Sequence, residues 1–217
     1  MERRHTAQPI KCTDDDRTRT ISGLGAIYYD GSEGSEYRLW DGAYERIMPG
    51  AFDRAVKEDD VRGLFNHDSN MVLGRTSSGT MKLQATSEGL RYDIEPGNTT
   101  VSKDVAEHIR RGDVSGSSFA FVVTQEEWRT ETHDEEVKRE IREIQEVTLY
   151  DVGPVTFPAY HSTTTETHAE ARSAYEAYVH VRDTQADAGE PDDADGCELP
   201  GIDLETYQAR VRAAQAD

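Results

Sequence analysis

Met81, Leu83 and Ala85 alternate with polar residues, turn chemistry follows at Ser87-Glu88-Gly89, and Leu90, Tyr92 and Ile94 then alternate again. A period of two sends successive side chains to opposite faces, so each run reads as a strand with one buried face. The turn between them makes the pair a hairpin. The same signature recurs in Thr20 to Tyr29, in Val61 to His67, in Leu73 to Thr76 beyond the Asp68-Ser69-Asn70 turn, and in Ile141 to Val155. Ile47 to Val56 reads as a turn leading into a short helix. Longer helices are few. Thr99 to Arg111 has capping hydroxyls at its start, Val101, Val105 and Ile109 at i, i+4 spacing, and two cations and a glycine at its end. Residues 166–181 carry Ala171, Ala174, Tyr175 and Val179 on one side. Many short strands with few helices predict an α+β chain built on a closed or nearly closed β-barrel with helices around it.

Composition divides the chain into three. Residues 1–18 are polar and charged and read as a loose arm. Residues 19–182 are long enough to form one domain with its own core. Residues 183–217 carry ten acids against two arginines, with Gly and Pro interspersed, and read as an acidic linker. Within it Leu204, Tyr207 and Val211 mark a short apolar stripe. Residues 125–140 are strongly charged and read as an exposed hairpin tip or insertion.

The formal net charge is -19. Phosphate contacts need clustered cations, so duplex nucleic acid is not an expected partner. An acidic surface with only five lysines suits high salt, where screening lowers self-repulsion, although a genome that favours Arg codons gives the same bias. The two cysteines, Cys12 and Cys197, lie near opposite ends and form no disulfide framework or zinc pattern. No apolar run approaches a membrane span and the N-terminus lacks an apolar signal core, so a soluble intracellular protein is expected.

One stretch concentrates the chemistry. In Val114-Ser115-Gly116-Ser117-Ser118-Phe119-Ala120-Phe121, the aromatics Phe119 and Phe121 share one strand face with Val123, and Ser118, Ala120 and Val122 share the other. The serines either satisfy local backbone groups at a strand start or offer a nucleophile. A serine nucleophile needs a base, and His67, at the end of an alternating strand and before turn residues, is the best placed histidine. His5, His133 and His168 lie in polar segments, His108 and His180 on helices, and His161 after the strand pattern. No His-x-His or His-Glu-x-x-His spacing suggests a metal. A carboxylate to orient the imidazole is available in the returning strand, at Glu143, Glu146 or Asp151.

Four blocks together resemble the prohead maturation proteases of tailed viruses, the HK97-type caudovirus prohead serine protease family. They are Glu45 to Phe52; Leu64-Phe65-Asn66-His67-Asp68 with Leu73-Gly74-Arg75-Thr76; Gly116 to Phe121; and Leu149 to Tyr160. The likeness covers about residues 20–165. It implies a fold like that of the herpesvirus capsid-maturation proteases, with His67 as general base and Ser118 as nucleophile. The family has a Met and a second Gly where this chain has Ser117 and Ala120. Two adjacent serines therefore compete, and Ser118 is preferred because it directly precedes the aromatic. The family usually has Glu and Ser where this chain has Asp151 and Gly153. The herpesvirus strand pattern His-Val-x-Leu-x-x-Val-Gly aligns Glu146 with the third catalytic residue, which favours Glu146 over Asp151. No residue of this sequence can be assigned to the oxyanion hole. The resemblance implies a serine endopeptidase of capsid maturation, acting inside the prohead in the host cytoplasm. Its substrates would be scaffold or the scaffold-like segment of the major capsid protein, and often the protease itself. No metal or organic cofactor is implied, and a homodimer follows by analogy with the herpesvirus enzymes. The alternative is a non-catalytic scaffold or adaptor on the same fold.

Overall fold

The computed structural model describes residues 1–14, 19–133, 137–158 and 169–187. The chain divides into two compact units, Met1–Glu176 and Ala177–Asp217. The first contains every strand described below. In the second, only the helical residues up to Asp187 are described, so the expected stripe at Leu204, Tyr207 and Val211 lies outside the described residues.

The fold is mixed, mostly strands with few helices. Its elements are β1 (Glu2–Thr6), β2 (Lys11–Asp14), β3 (Arg19–Ile27), β4 (Glu36–Trp40), β5 (Ala43–Ile47), α1 (Ala55–Glu58), β6 (Arg62–Leu64), β7 (Val72–Arg75), β8 (Met81–Ala85), β9 (Gly89–Ile94), α2 (Thr100–Arg111), β10 (Gly116–His133), β11 (Val137–Val155) and α3 (Ala169–Asp187). The strands form two sheets, where the sequence predicts one closed or nearly closed barrel. One sheet has the order β1-β10-β11-β5-β4, with β6 pairing β11 and β7 pairing β6; the other has the order β2-β3-β9-β8. Alternation specifies which face of a strand is buried, but not which edges hydrogen-bond, and so leaves closure open.

The core lies where the aromatics of β10 meet the second sheet. Phe119 and Phe121 are completely buried and stack with centroids 4.9 Å apart. Phe52 packs edge-on against Phe119 at 5.6 Å, and Tyr28 stacks on Phe52. Ile21, Leu90, Tyr92 and Ile94 complete it from β3 and β9. Each such aromatic contributes roughly 2–3 kcal/mol by burial alone. The expected helix forms as α2. Thr99 Oγ1 accepts from Ser102 N at 3.1 Å, Gly112 closes the helix in the left-handed region at φ 81°, and Val105 and Ile109 face inward. α3 runs to Asp187, beyond the expected end at 181 and into residues read as linker. No helix among the described residues is long and apolar enough to cross a membrane.

One segment differs from the sequence reading. The N-terminal residues are largely strand: β1 pairs antiparallel with β10 and β2 with β3. What anchors β1 is a buried ionic cluster. Arg4 Nε reaches Glu45 Oε1 at 2.6 Å, Arg4 Nη2 reaches Glu2 Oε2 at 2.7 Å, and Arg142 Nη1 reaches Glu2 Oε2 at 2.8 Å and Glu45 Oε2 at 2.9 Å. Burial by itself raises the Glu2 carboxyl, but the charges of Arg142 and Arg4 overcome it and hold Glu2 below its usual value. Charge composition reads as disorder only when the charges stay in water, and here they neutralise one another across three strands. The charged segment read as an exposed hairpin tip is that: residues 125–133 and 137–140 are the outer half of a long β10–β11 hairpin. Its ladder is reinforced by Arg46 against Glu131, at 2.7 and 2.8 Å, and by Trp128 packed against Trp40 and Tyr175.

Candidate active site

Three elements of the first unit bring His67, Ser118 and Asp151 together. Ser118 lies on β10 opposite Gly153 of β11, with its side chain on the face away from the aromatic core. Ser117 points the other way: its Oγ is 2.8 Å from the hydroxyl of Tyr92, which is completely buried in the core. The strand's alternation thus separates two serines that composition leaves equivalent.

His67 sits at the tip between β6 and β7. Asp68 N donates to Phe65 O at 3.1 Å across Asn66 and His67, whose φ values are 55° and 57°. Two consecutive positive φ angles are the mark of a type I′ turn. Asn and His tolerate that region better than most residues, but glycine is the usual occupant of the second position. A histidine held there is a strained choice of the kind found at functional sites. Gly153 lets the tip come close, because a Cβ at that position would overlap the Leu64 carbonyl.

His67 Nε2 is 2.5 Å from Ser118 Oγ and its Nδ1 is 2.5 Å from Asp151 Oδ1. With Nδ1–H donating to the carboxylate, Nε2 is left as the acceptor for the serine hydroxyl. The side chains of His67 and Asp151 are only 6% and 8% exposed, so both contacts act at low local dielectric. Ser118 is completely enclosed. Its Oγ is also 3.0 Å from the carbonyl oxygen of Arg4 on β1, so its one proton has two competing acceptors. His5, the β1 residue opposite Ser118, stands edge-on to His67 at 6.3 Å. Burial first, then the charges of His67, Arg4 and Arg3, push His5 down to about 4.

Glu146, expected beside His67, lies elsewhere. It pairs with Gln125 in the ladder, accepts from Thr124 Oγ1 at 2.9 Å and faces Arg54 Nε at 3.2 Å. The carboxylate on His67 is that of Asp151. Tyr150 is an extra residue in the ladder: Ala120 pairs with Asp151 while Phe121 pairs with Leu149. That bulge returns Asp151 to the face of Ser118. Gln125 is seven residues along β10 from Ser118, which puts Glu146 roughly 20 Å from the Ser118 hydroxyl at ~3.3 Å per residue. Glu143 is mostly buried and faces Arg129, away from His67. Among the described residues no three or more His, Cys, Asp or Glu side chains converge as metal ligands.

The family model of the caudovirus prohead serine proteases matches residues 8–178. The chain belongs to that family. No curated protein sequence matches it. Among solved structures, the capsid assembly protease of bacteriophage T4 is similar at 13% sequence identity and a TM-score of 0.46, covering 70% of this chain and 94% of that one. The family match begins at residue 8, after β1, so the strand whose carbonyl meets Ser118 lies outside it. Sequence reasoning missed the buried residues Glu2 and Arg4; Glu2-Arg3-Arg4-His5-Thr6 is polar throughout and carries no local signal of burial.

Proposed function

We propose that the protein is a serine endopeptidase of capsid maturation, with Ser118 as nucleophile, His67 as general base and acid, and Asp151 as the group that orients His67. The unbroken line Asp151–His67–Ser118, with both contacts at 2.5 Å, carries this reading. A serine hydroxyl is almost fully protonated at neutral pH and needs an adjacent base to attack. Here Nε2 takes the proton as Oγ bonds to the peptide carbonyl carbon, and the imidazolium so formed is stabilised by the Asp151 carboxylate. His67 then returns the proton to the departing amine, and water, activated by the same nitrogen, releases the acyl group. No step calls for a metal or organic cofactor.

Family membership supports scaffold or the scaffold-like part of the major capsid protein as substrate, and the interior of the assembling prohead in the host cytoplasm as the place of action. The protein itself is a further substrate in this reading. Ser118 has no solvent exposure, so a polypeptide substrate must first displace something. β1 is the edge strand beside β10, and its Arg4 carbonyl already meets Ser118 Oγ. Attack there would break the Arg4–His5 bond, leave residues 1–4 as the acyl group and open the edge of β10.

The test is co-expression with the neighbouring capsid and scaffold proteins, with the masses of all chains measured. Shortened capsid or scaffold chains that stay full length with Ser118→Ala are the expected result. Unchanged masses throughout, with no labelling of the wild type by a fluorophosphonate, would leave a non-catalytic assembly protein instead.

A further inference from the structure

His67 reaches the nucleophile from a backbone conformation that its own residue type disfavours. Non-glycine residues with positive φ hold it only where their surroundings over-determine it. Two such residues in succession therefore call for a restraint outside the turn.

That restraint is visible one residue before the histidine. Asn66 N donates to Pro154 O at 3.1 Å. Asn66 Nδ2 donates to Thr156 Oγ1 at 3.0 Å, and Thr156 N donates back to Asn66 Oδ1 at 2.8 Å. Three hydrogen bonds thus tie the turn to the segment at the end of β11, the strand that carries Asp151 and, at Gly153, faces Ser118. Asn66 is exposed, so its amide could be satisfied by water and is not needed to bury any group. Instead it spends both ends of its side chain on a single residue.

We propose that Asn66, with Thr156 as its partner, is a positioning residue for His67: the amide fixes the left-handed turn against β11 and so sets the distance from the imidazole to Ser118 and Asp151. This rests on the reading of His67 as the general base. It goes beyond that reading by assigning a role to two residues that touch none of the reacting atoms. A catalytic group displaced by about 1 Å loses on the order of a hundredfold in rate. The clamp acts at that scale, because the turn has no other side-chain tie to β11 besides the His67–Asp151 contact among the hydrogen bonds above.

The test uses the full chain with Asn66→Gly, Asn66→Asp and Thr156→Val. Glycine keeps the left-handed backbone and loses the amide. Aspartate keeps the acceptor for Thr156 N. Valine keeps the shape at 156 and loses the oxygen. Reaction with a fluorophosphonate probe is followed as maximal rate and as probe affinity, and folding as the thermal midpoint. Asn66→Gly should lower the maximal rate ten- to a hundredfold with probe affinity and midpoint nearly unchanged. Thr156→Val should lower it severalfold, the double variant should lose no more than Asn66→Gly alone, and Asn66→Asp should recover part of the loss. A wild-type rate in Asn66→Gly overturns the proposal, as does a loss that merely tracks a lowered midpoint. A wild type that never reacts instead sinks the protease reading. The positioning role is then read from the downfield proton resonance of His67 Nδ1–H against Asp151: it should broaden or vanish in Asn66→Gly, and an unaltered resonance there overturns the proposal.

Discussion

Asp151 and Glu146 lie on the same strand, and each meets a nitrogen brought in by a turn outside the β10–β11 ladder. Asp151 faces the imidazole of His67, which in turn faces Ser118. Glu146 faces the guanidinium of Arg54 and accepts from Thr124. Arg54 is also held by Asp59 at 2.8 Å, by the Val147 carbonyl at 2.8 Å and by Thr148 at 3.1 Å. A guanidinium stays protonated through any ordinary pH and can only anchor. An imidazole can take a proton and return it. The carboxylates are chemically alike, so the nitrogen each one meets separates the Asp151 end of β11, the proposed reactive end, from the middle of the strand.

The largest expected effect tests that separation directly. Asp151→Asn should lower the rate of processing by roughly a factor of ten thousand, because the amide cannot stabilise the imidazolium and favours the wrong tautomer. Glu146→Gln should leave the rate within about threefold and lower the thermal midpoint slightly. Equal losses in the two variants, measured by cleavage of co-expressed capsid protein or by probe labelling, would erase the distinction between the two ends. Ser118→Ala and His67→Ala belong with Asp151→Asn, and Ser117→Ala does not. Loss of the Ser117 hydroxyl leaves the Tyr92 hydroxyl buried without its partner, which should cost about 1–3 kcal/mol of stability and little of the chemistry.

A second prediction extends the comparison to the outer part of β11, where Arg142 meets Glu2 and Glu45. Here charge faces charge with almost no solvent: Arg142, Glu2 and Glu45 have side chains 3%, 3% and 0% exposed. Removing Glu45 leaves two buried guanidiniums, Arg4 and Arg142, sharing the buried carboxylate of Glu2. Glu45→Ala should therefore destabilise the fold by about 3–5 kcal/mol in denaturant unfolding. It should also loosen β1, since Arg4 keeps only Glu2 of its own strand and loses its tie to β5. A loss below about 1 kcal/mol would mean that water reaches the cluster and that β1 is only loosely attached.

Much of this arrangement was legible in the sequence, and the failures have physical causes. Alternation predicted the face of Phe119 and Phe121, and capping chemistry predicted α2, because both depend on residues near one another in the chain. His67 and Ser118 were singled out by local pattern together with the family resemblance, and the structure brings them together. Glu146 was favoured by the herpesvirus strand pattern, and the register of that pattern does not carry over: the extra residue Tyr150, a β-bulge, brings Asp151 onto the face of Ser118, where it meets His67. No local signal marks a bulge, because what inserts it is the pairing partner. The loose arm failed for a related reason. Glu2 and Arg4 are charged, and only Glu45 and Arg142, far away in sequence, turn them into buried residues.

The smallest expected effect concerns His5, the residue on β1 opposite Ser118. Burial and the neighbouring charges of His67, Arg4 and Arg3 hold its proton affinity down to about 4, against 6.5 for the free side chain. Its Nδ1 is buried without a hydrogen-bond partner, so nothing in the fold favours its charged form. Between pH 6.5 and about 4 the unfolded chain binds a proton at this position and the folded chain does not. Stability from this group is therefore complete above about pH 6.5, falls as the pH drops through that window and levels off below about 4. Carboxylates such as Glu2 titrate mainly at the acid end, so the interval from pH 6.5 to 5 isolates the histidine. His5→Gln removes the titration while leaving a polar side chain of similar length. The thermal midpoint of the wild type should fall more steeply than that of the variant across that interval. Parallel slopes would mean that His5 is already solvated, that β1 does not press against His67, and that the enclosure of the reactive end has another source.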